Sequence, residues 1–484
     1  MKSIITSIFV FITLFLSVIS HAQSGHAETL RAEYQGQQAK YIFLFIGDGM
    51  GTAHVNAAEA YLSAQKNQKK LNTLSMSQFE VQAAMTTYSA DRFITGSAAS
   101  GTAIATGHKT NTGIISMDES KTKSYKTIAE KAKENGYKVG ILSSVPINHA
   151  TPAVFYAHEP ARHNYYNIGL QLSESGFDFF GGGNFKNPEG QNHDKKSVIE
   201  VAKEKGYTYL NDKKAIRKLD NNDEKIIAVN PRTSGGAMPY AIDMNRQDLT
   251  LAEFTGKAID VLDNEDGFFM MVEGGKIDWA GHANDAATIV QGVIDFDNAV
   301  AKAVDFYEEH PDETLIIVTA DHETGGMSMG SRSAEYDSYF TKLDNQKLSQ
   351  EAFAVLLDEQ KETLTFDQAM DMAKKHLGLD KRSGGFSLSE QDKKILRHAY
   401  EMEFGDKNSL PEMDAMAATY TGNHPFASAA TMLVNEKSGF SFTTNSHTAL
   451  AVPVKARGTG AELFSTYLDN TDISKNLEIL LIKE

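Results

Sequence analysis

Several apolar, strand-like runs in this chain end just before a residue that could bind a metal ion. The runs are Tyr41–Ile46, Lys138–Leu142, Phe268–Val272 and Leu315–Thr319. Open α/β sheets bind ligands in the crevice beyond the carboxyl ends of their strands. Residues that follow successive strands therefore lie close together in space although they are far apart in sequence. The pattern predicts a doubly wound, largely parallel central sheet with helices on both faces and one site at its edge.

Helical patterns fill the stretches between these runs. They are Ala57–Lys66, Ala98–Thr106, Tyr125–Asn135, Leu249–Leu262 and Ala286–Glu309. Residues 331–440 differ, because they contain the charged helical patterns Phe366–Leu377 and Asp392–Phe404. The segment Ser387–Gln391, before the second pattern, resembles a helix start with a capping residue. We predict a single catalytic domain at 23–484, with an inserted helical region at about 331–440 that walls or covers the site or forms a partner surface.

The N-terminus has the features of a secretory signal peptide at residues 1–22. Lys2 supplies a positive start, an apolar run covers residues 4–19, and Ser20-His21-Ala22 offers small residues for cleavage. The alternative is a membrane anchor, but the run is shorter than the ~20 residues of a bilayer span. We predict cleavage near Ala22, no stable membrane anchor afterwards, and a periplasmic or secreted protein.

Composition excludes some classes of site and partner. The chain has no cysteine, so any zinc ion must be held by histidine and carboxylate groups. Its formal net charge of −16 argues against nonspecific binding of nucleic acid. A small anionic substrate remains compatible with this charge, because bound divalent ions dominate the local field.

The candidate metal ligands fall into two chemical groups. The first offers carboxylate and imidazole donors suited to zinc: Asp48, Asp278, His282, Asp321, His322 and His447. Asp278 and His282 have the i, i+4 spacing that places both on one helix face. The second group, Thr151 and Glu273, offers only oxygen, which suits magnesium. Two transition-metal ions about 3.5–4 Å apart stabilise the attacking and leaving oxygens of an in-line phosphoryl displacement.

Ser97 and Arg162 suit the remaining roles in such a reaction. Ser97 opens a helix of small residues, whose free N–H groups favour phosphate oxygens. The segment lacks the Gly-x-Ser-x-Gly elbow, so direct zinc coordination would replace a histidine base in activating the hydroxyl. Arg162 can bind two phosphate oxygens at once through its planar guanidinium group.

Each of these residues taken alone has a plainer interpretation. Asp48 would be a turn or helix cap, Asp278 and His282 a surface pair, and Ser97 a packing residue. The remaining histidines of this region have no comparable context and are interpreted as structural or surface residues: His108, His158, His163 and His424. The joint pattern is what favours one metal site.

Short segments of the chain resemble the motifs of alkaline phosphatases, in the family's order. They are Ile46–Gly51, Thr95–Ala103, His149–Ala153 through Arg162, Glu273–His282, Thr319–Gly326 and Ser446–Thr448. The resemblance covers about residues 40–330 and 440–484. It implies two zinc ions, one held by Asp278, His282 and His447 and the other by Asp48, Asp321 and His322. It also implies one magnesium ion, held by Asp48, Thr151 and Glu273.

The implied reaction is hydrolysis of small phosphate monoesters through a phosphoserine on Ser97, with Arg162 binding the phosphate. A homodimer is expected by analogy with the family. Three positions depart from the best-known pattern of the family. Gly96 stands where many members have an aspartate that helps to hold the arginine, and His149 and Trp279 stand where some members carry aspartate and lysine.

The alternative functions are a phosphodiesterase or a sulfatase of the same superfamily, or a binding protein with a decayed site. A diesterase needs room for a second ester group where the arginine sits, so Arg162, Thr151 and Glu273 argue against it. The missing cysteine and the absence of a Ser-x-Pro-x-Arg motif at Ser97 argue against a sulfatase. The intact ligand set argues against decay.

Overall fold

The computed structural model describes residues 27–68, 70–71, 73–221, 224–381, 383–405 and 424–481. The predicted signal peptide lies outside the described residues, as do Arg382 and residues 406–423 of the predicted insertion. In the described ranges, every helix is too short or too polar to serve as a membrane span.

The strands of the central sheet are β1 (Tyr41–Ile46), β2 (Val81–Thr86), β3 (Lys138–Ser143), β4 (Phe179–Gly182), β5 (Tyr207–Leu210), β6 (Lys225–Val229), β7 (Phe268–Glu273), β8 (Thr314–Thr319), β13 (Val452–Gly458) and β14 (Tyr467–Asp469). Two short pairs lie outside it: β9 (Glu323–Thr324) with β12 (His447–Thr448), and β10 (Ser328–Met329) with β11 (Phe440–Ser441). Within the described chain, the central sheet has ten strands in the order β14-β2-β13-β8-β1-β7-β3-β4-β6-β5.

The sheet is mixed but mostly parallel, which confirms the predicted fold class. The seven consecutive strands β8, β1, β7, β3, β4, β6 and β5 run parallel to one another, whereas β13 is antiparallel to both β8 and β2. Every residue of β1, β7 and β8 is buried. Parallel strands covered on both faces read as continuous apolar runs, which explains why these strands were recognisable in the sequence.

Helices cover the sheet or precede its strands. In the part that carries the predicted motifs they are Thr52–Gln65, Ser97–Thr106, Ile128–Glu134, Ala150–Ala153, Tyr165–Glu174, Val198–Glu204, Lys213–Ile216, Leu251–Leu262, Lys276–His282, Ala286–Glu309 and Thr471–Leu481. The helix predicted from Tyr125 begins only at Ile128. Thr127 is its N-cap, since its side chain accepts a hydrogen bond from the backbone N–H of Glu130.

The strand register brings the carboxyl ends of four neighbouring strands level with one another. Ile46 at the end of β1 pairs with Glu273 of β7 on one side and with Thr319 of β8 on the other. Ser143 at the end of β3 is also level with Glu273. Residues that follow these strands therefore emerge at the same edge of the sheet.

Residues 331–440 contribute the helices Gln350–Asp358, Phe366–Leu377, Glu390–Phe404 and Pro425–Ser438. The first of these helices is fixed to the part that carries the sheet by two carboxylates, the half-buried Asp243 and the buried Asp285. Asp243 accepts a hydrogen bond from the backbone N–H of Ser349 at 2.8 Å, and Asp285 accepts one from that of Gln350 at 2.8 Å. The assignment of this region as an insertion stays a prediction.

Candidate active site

Four buried side chains meet around the Nε2 atom of His322. This atom lies 3.3 Å from Ser97 Oγ, 3.4 Å from Asp48 Oδ1 and 3.3 Å from Asp321 Oδ2. Ligands of a tetrahedral zinc ion with bonds of about 2.0–2.1 Å lie roughly 3.3–3.5 Å apart. Charge-assisted hydrogen bonds are shorter, about 2.7–2.9 Å. The spacing therefore fits ligands of one shared cation better than a set of ion pairs.

Asp278, His282 and His447 form an adjoining group with the same spacing. Asp278 Oδ1 lies 3.4 Å from His282 Nε2 and 3.5 Å from His447 Nε2, and the two Nε2 atoms are 3.1 Å apart. The other ring nitrogens contact backbone carbonyls, His282 Nδ1 at 2.7 Å from Asn445 and His447 Nδ1 at 2.8 Å from Thr95. Such contacts fix the ring orientation and leave Nε2 for a metal ion.

A third cluster offers oxygen alone. Thr151 Oγ1 lies 3.5 Å from Asp48 Oδ2, and both side chains influence the pKa of the neighbouring Glu273. The hydroxyl of Ser143, at the end of β3, donates a hydrogen bond to Glu273 Oε2. Asp48 thus belongs both to this cluster and to the group around His322.

Unpartnered buried oxygens test whether metal ions fit these residues. In the described structure, Asp48 Oδ1, Glu273 Oε1 and Asp321 Oδ2 are buried and have no hydrogen-bond partner. Burying unpaired carboxylates is costly, so each of these atoms needs a cation or a proton. Burial, followed by the charge of Asp321, raises the pKa of Asp48 well above its ordinary value. The residues therefore fit divalent cations, which would remove this repulsion.

His322 suits the role of a ligand because its ring is neutral. Burial, followed by the charge of His447, lowers the pKa of His322 well below its ordinary value. Its ring stacks on that of His447 with centroids 3.6 Å apart. A neutral imidazole can coordinate a metal ion, whereas a protonated one cannot.

Sequence reasoning missed two hydroxyl groups that orient the candidate ligands. Thr324 Oγ1 donates a hydrogen bond to Asp278 Oδ1 at 2.6 Å and lies 3.2 Å from His322 Nδ1. It therefore links the two groups of candidate zinc ligands. Ser143 orients Glu273. The available signal was their position, since Thr324 follows His322 by two residues and Ser143 directly follows the predicted strand Lys138–Leu142.

Ser97 is the first residue of the helix Ser97–Thr106, all of which is buried. Gly96 before it has an extended backbone, with φ −120° and ψ 160°. A Cβ atom added at Gly96 would meet Thr112 Cγ2 at 3.6 Å, an ordinary contact. Space for a Cβ atom therefore does not require glycine at this position.

Arg162 is held by an imidazole in this protein. Its Nη2 atom donates to His149 Nε2 at 3.2 Å, and the His149 ring packs edge-on against Trp279 with centroids 5.9 Å apart. Burial, followed by the charge of Arg162, lowers the pKa of His149 well below its ordinary value, so the ring can accept this hydrogen bond. The charge of Arg162 is also one of the smaller causes of the lowered pKa of His322.

A family model described as alkaline phosphatase matches residues 39–482. The chain belongs to the alkaline phosphatase family. It is 31% identical to alkaline phosphatase 3 of Bacillus subtilis (strain 168), over 91% of this chain and 88% of that protein. It is 30% identical to alkaline phosphatase 4 of the same organism, over 98% of this chain and 95% of that protein.

Solved structures of alkaline phosphatases agree with this assignment. The cold-active alkaline phosphatase of a psychrophilic Shewanella species has a TM-score of 0.76 and 29% identity, with 92% of this chain and 100% of that chain covered. The alkaline phosphatase of Thermus thermophilus has a TM-score of 0.77 at 24% identity, with 93% of each chain covered, and supports the fold alone. The protein is a hydrolase, and its family and fold support hydrolysis of phosphate monoesters.

Proposed function

We propose that this alkaline phosphatase hydrolyses phosphate monoesters through a phosphoserine formed on Ser97. The observation that carries the proposal is the 3.3 Å separation of Ser97 Oγ and His322 Nε2. His322 in turn lies within 3.4 Å of Asp48 and Asp321. A hydroxyl group among buried metal-ligand candidates, at a helix N-terminus, suits attack on a bound phosphoryl group.

We further propose two zinc sites and one magnesium site. The zinc ligands are Asp278, His282 and His447 in one site and Asp48, Asp321 and His322 in the other, and the magnesium ligands are Asp48, Thr151 and Glu273. When bound, the cations supply positive charge that stabilises the attacking and leaving oxygens of the displacement. Donor spacing and unpartnered oxygens support this assignment.

In the first step Ser97 Oγ attacks phosphorus, the ester P–O bond breaks, and the alcohol leaves carrying a proton. In the second step water attacks phosphorus, the P–Oγ bond breaks, and Ser97 regains its proton as inorganic phosphate departs. Arg162 binds two of the oxygens that stay on phosphorus and stabilises the charge spread over them. Thr324 and Ser143 hold Asp278 and Glu273 in position through both steps.

A cavity beside the proposed zinc site of Asp278, His282 and His447 has space for the leaving alcohol. A cavity of about 1060 Å³ is lined by Trp279 and His282 on one side and by Glu351 and Met432 of residues 331–440 on the other. We propose that the alcohol portion of the ester occupies this space while the phosphoryl group meets Ser97.

Arg162→Ala should weaken phosphate binding more than it lowers turnover. Hydrogen bonds to a charged group contribute about 1.5–3 kcal/mol, which predicts a rise of roughly 10- to 100-fold in the inhibition constant of phosphate. Arg162→Lys should recover only part of the affinity, because an ammonium group lacks the planar fork. Arg92→Ala is the matched control, since Arg92 is exposed and pairs with Asp91. An unchanged inhibition constant in Arg162→Ala would show that the arginine does not hold the phosphate.

Three substrates separate the proposed activity from the related hydrolases. We expect p-nitrophenyl phosphate to be turned over at least about 10³-fold faster, in kcat/KM, than bis-p-nitrophenyl phosphate or p-nitrophenyl sulfate. The physical reason is that Arg162 occupies the place that a second ester group would need, and its fork matches the charge of a phosphate monoester. Preferred cleavage of the bis-ester would identify a diesterase, and preferred cleavage of the sulfate would identify a sulfatase.

Magnesium binding should release a proton near neutral pH. Burial raises the pKa of Glu273 to about 8 in the metal-free protein, so this carboxyl group is protonated below that pH. A cation must displace the proton, and affinity should therefore fall by up to about tenfold per pH unit below pH 8 and level off above it. Calorimetry of the metal-free protein with Mg²⁺, in buffers of different ionisation enthalpy, measures the release. Glu273→Gln is the control, because its amide group has no such proton to release. Equal proton release by the wild-type and Glu273→Gln proteins would contradict the assignment.

A further inference from the structure

A second cluster of metal-ligand side chains lies in residues 331–440, outside the candidate catalytic centre. Asp358 ends the helix Gln350–Asp358, Glu403 lies one residue before the end of Glu390–Phe404, and His424 directly precedes Pro425–Ser438. One donor atom from each side chain lies within 4.8 Å of the other two. The cluster therefore joins three helices at one point.

One of the two donor separations in this cluster matches those of the catalytic ligands. His424 Nδ1 lies 3.3 Å from Glu403 Oε1 and 3.9 Å from Asp358 Oδ2. Both distances exceed the about 2.7–2.9 Å of a charge-assisted hydrogen bond. The shorter one equals the separation of roughly 3.3–3.5 Å expected for two ligands of one zinc ion. The other oxygen of Glu403 accepts a hydrogen bond from the Phe426 backbone at 2.7 Å, which leaves Oε1 directed at the cluster.

The cluster also lacks a permanent positive charge. The Glu403 side chain is only 8% exposed, and burial raises the pKa of this carboxyl group. Asp358 and Glu403 lie at the C-terminal ends of their helices, where the helix dipoles are negative. In the described part of the chain, neither carboxylate forms an ion pair with a lysine or arginine. A divalent cation would balance the negative charge of the two carboxylates and of the two helix C-terminal ends.

We propose that Asp358, Glu403 and His424 form a divalent-cation site that takes zinc in preference to calcium or magnesium. One imidazole nitrogen and two carboxylate oxygens are ligands that zinc accepts, whereas calcium and magnesium favour oxygen alone. Asp358 and His424 are about half exposed, so water can complete the coordination shell. The ion would link the ends of three helices that also contact one another through packing, the Lys437–Asp392 ion pair and the Gln350–Ser428 hydrogen bond. None of its ligands is a ligand of the candidate catalytic centre, although His424 also lines the cavity proposed for the alcohol.

Zinc content of the full-length protein tests this site. Wild-type protein, equilibrated with Zn²⁺ and freed of loosely bound metal, should carry one zinc equivalent more than Asp358→Asn or His424→Gln by elemental analysis. These side chains are partly exposed and sit on different helices, so their loss leaves the buried Glu403 in place. His376→Gln, an imidazole of the same region outside the cluster, is the matched control and should keep the wild-type content.

Competition with a colorimetric chelator provides the second measurement. The additional zinc should leave wild-type protein in a separate step that both cluster variants lack and the control retains. Equal zinc content in all four proteins would overturn the proposal and identify the cluster as an ion pair only. Failure of this proposal can be distinguished from failure of the catalytic assignment. If the catalytic assignment is wrong, the zinc content of all four proteins changes together, whereas this site is tested by the difference between them.

Discussion

Ser97→Ala should form no phosphoenzyme and should lose about 10⁴-fold or more in turnover, because removing the nucleophile of a covalent mechanism leaves only residual catalysis. The physical reason is the position of one hydroxyl group. Ser97 begins a buried helix, and its Oγ lies 3.3 Å from His322 Nε2 among the candidate metal ligands. The metal ligands remain in the variant, and its metal content should therefore stay close to that of the wild type.

Acid quenching with a radiolabelled phosphate ester measures the phosphoenzyme directly. Ser100→Ala is the matched control, because it removes a hydroxyl from the same helix that donates to the Asp321 carbonyl at 2.6 Å. We expect this control to lose some stability, of the order of 1 kcal/mol, while it still forms phosphoserine. A Ser97→Ala protein that kept full activity would assign the nucleophile to another group.

Removal of metal ions should abolish activity and destabilise the fold, and zinc with magnesium should restore both. Asp48, Glu273 and Asp321 each bury an oxygen that lacks a hydrogen-bond partner in the described structure. Without a cation these carboxylates repel one another or must take up protons. A ligand present at 1,000 times its dissociation constant stabilises a protein by about 4 kcal/mol, so chelation should lower the unfolding temperature by several degrees.

Chelation followed by addition of zinc alone, magnesium alone and both ions distinguishes the contributions of the two metals. We expect zinc to return most of the activity and magnesium to increase it further. Asp278→Asn should reduce zinc content, whereas Asp344→Asn, at a carboxylate that binds Tyr61 away from the ligands, should leave it unchanged. Full activity in protein that elemental analysis finds free of metal would contradict the proposed role of the ions.

The central strands were predictable because burial on both faces makes them continuous apolar runs. β1 was predicted with its observed bounds, and β3 and β7 extend one residue further than predicted, to Ser143 and Glu273. The common location of the candidate ligands was predictable from these strands, because residues that follow aligned parallel strands emerge at the same edge of the sheet. The direction of β13 was not predictable, because a strand that returns from a distant part of the chain carries no local sign of its partners.

The residues that orient the ligands could not be found from sequence. Ser143 and Thr324 act through single hydroxyl groups, and serine and threonine are common at strand ends and in loops. The cluster of Asp358, Glu403 and His424 joins residues from three helices with no spacing rule between them. His424 was interpreted as structural or surface, because no motif surrounds it and only the packing of the helices brings the carboxylates to it.

Asp285 serves two helices at once. Its Oδ1 accepts a hydrogen bond from the Thr288 backbone at 3.1 Å and so caps the long helix Ala286–Glu309, while its Oδ2 holds the Gln350 backbone at 2.8 Å. If the helix Gln350–Asp358 moved away, the buried carboxylate of Asp285 would lose one of its hydrogen-bond partners. Gln350, Glu351 and Ala354 of this helix line the cavity proposed for the alcohol, so we expect that wall of the cavity to stay in place and its dimensions to limit the alcohols that can bind.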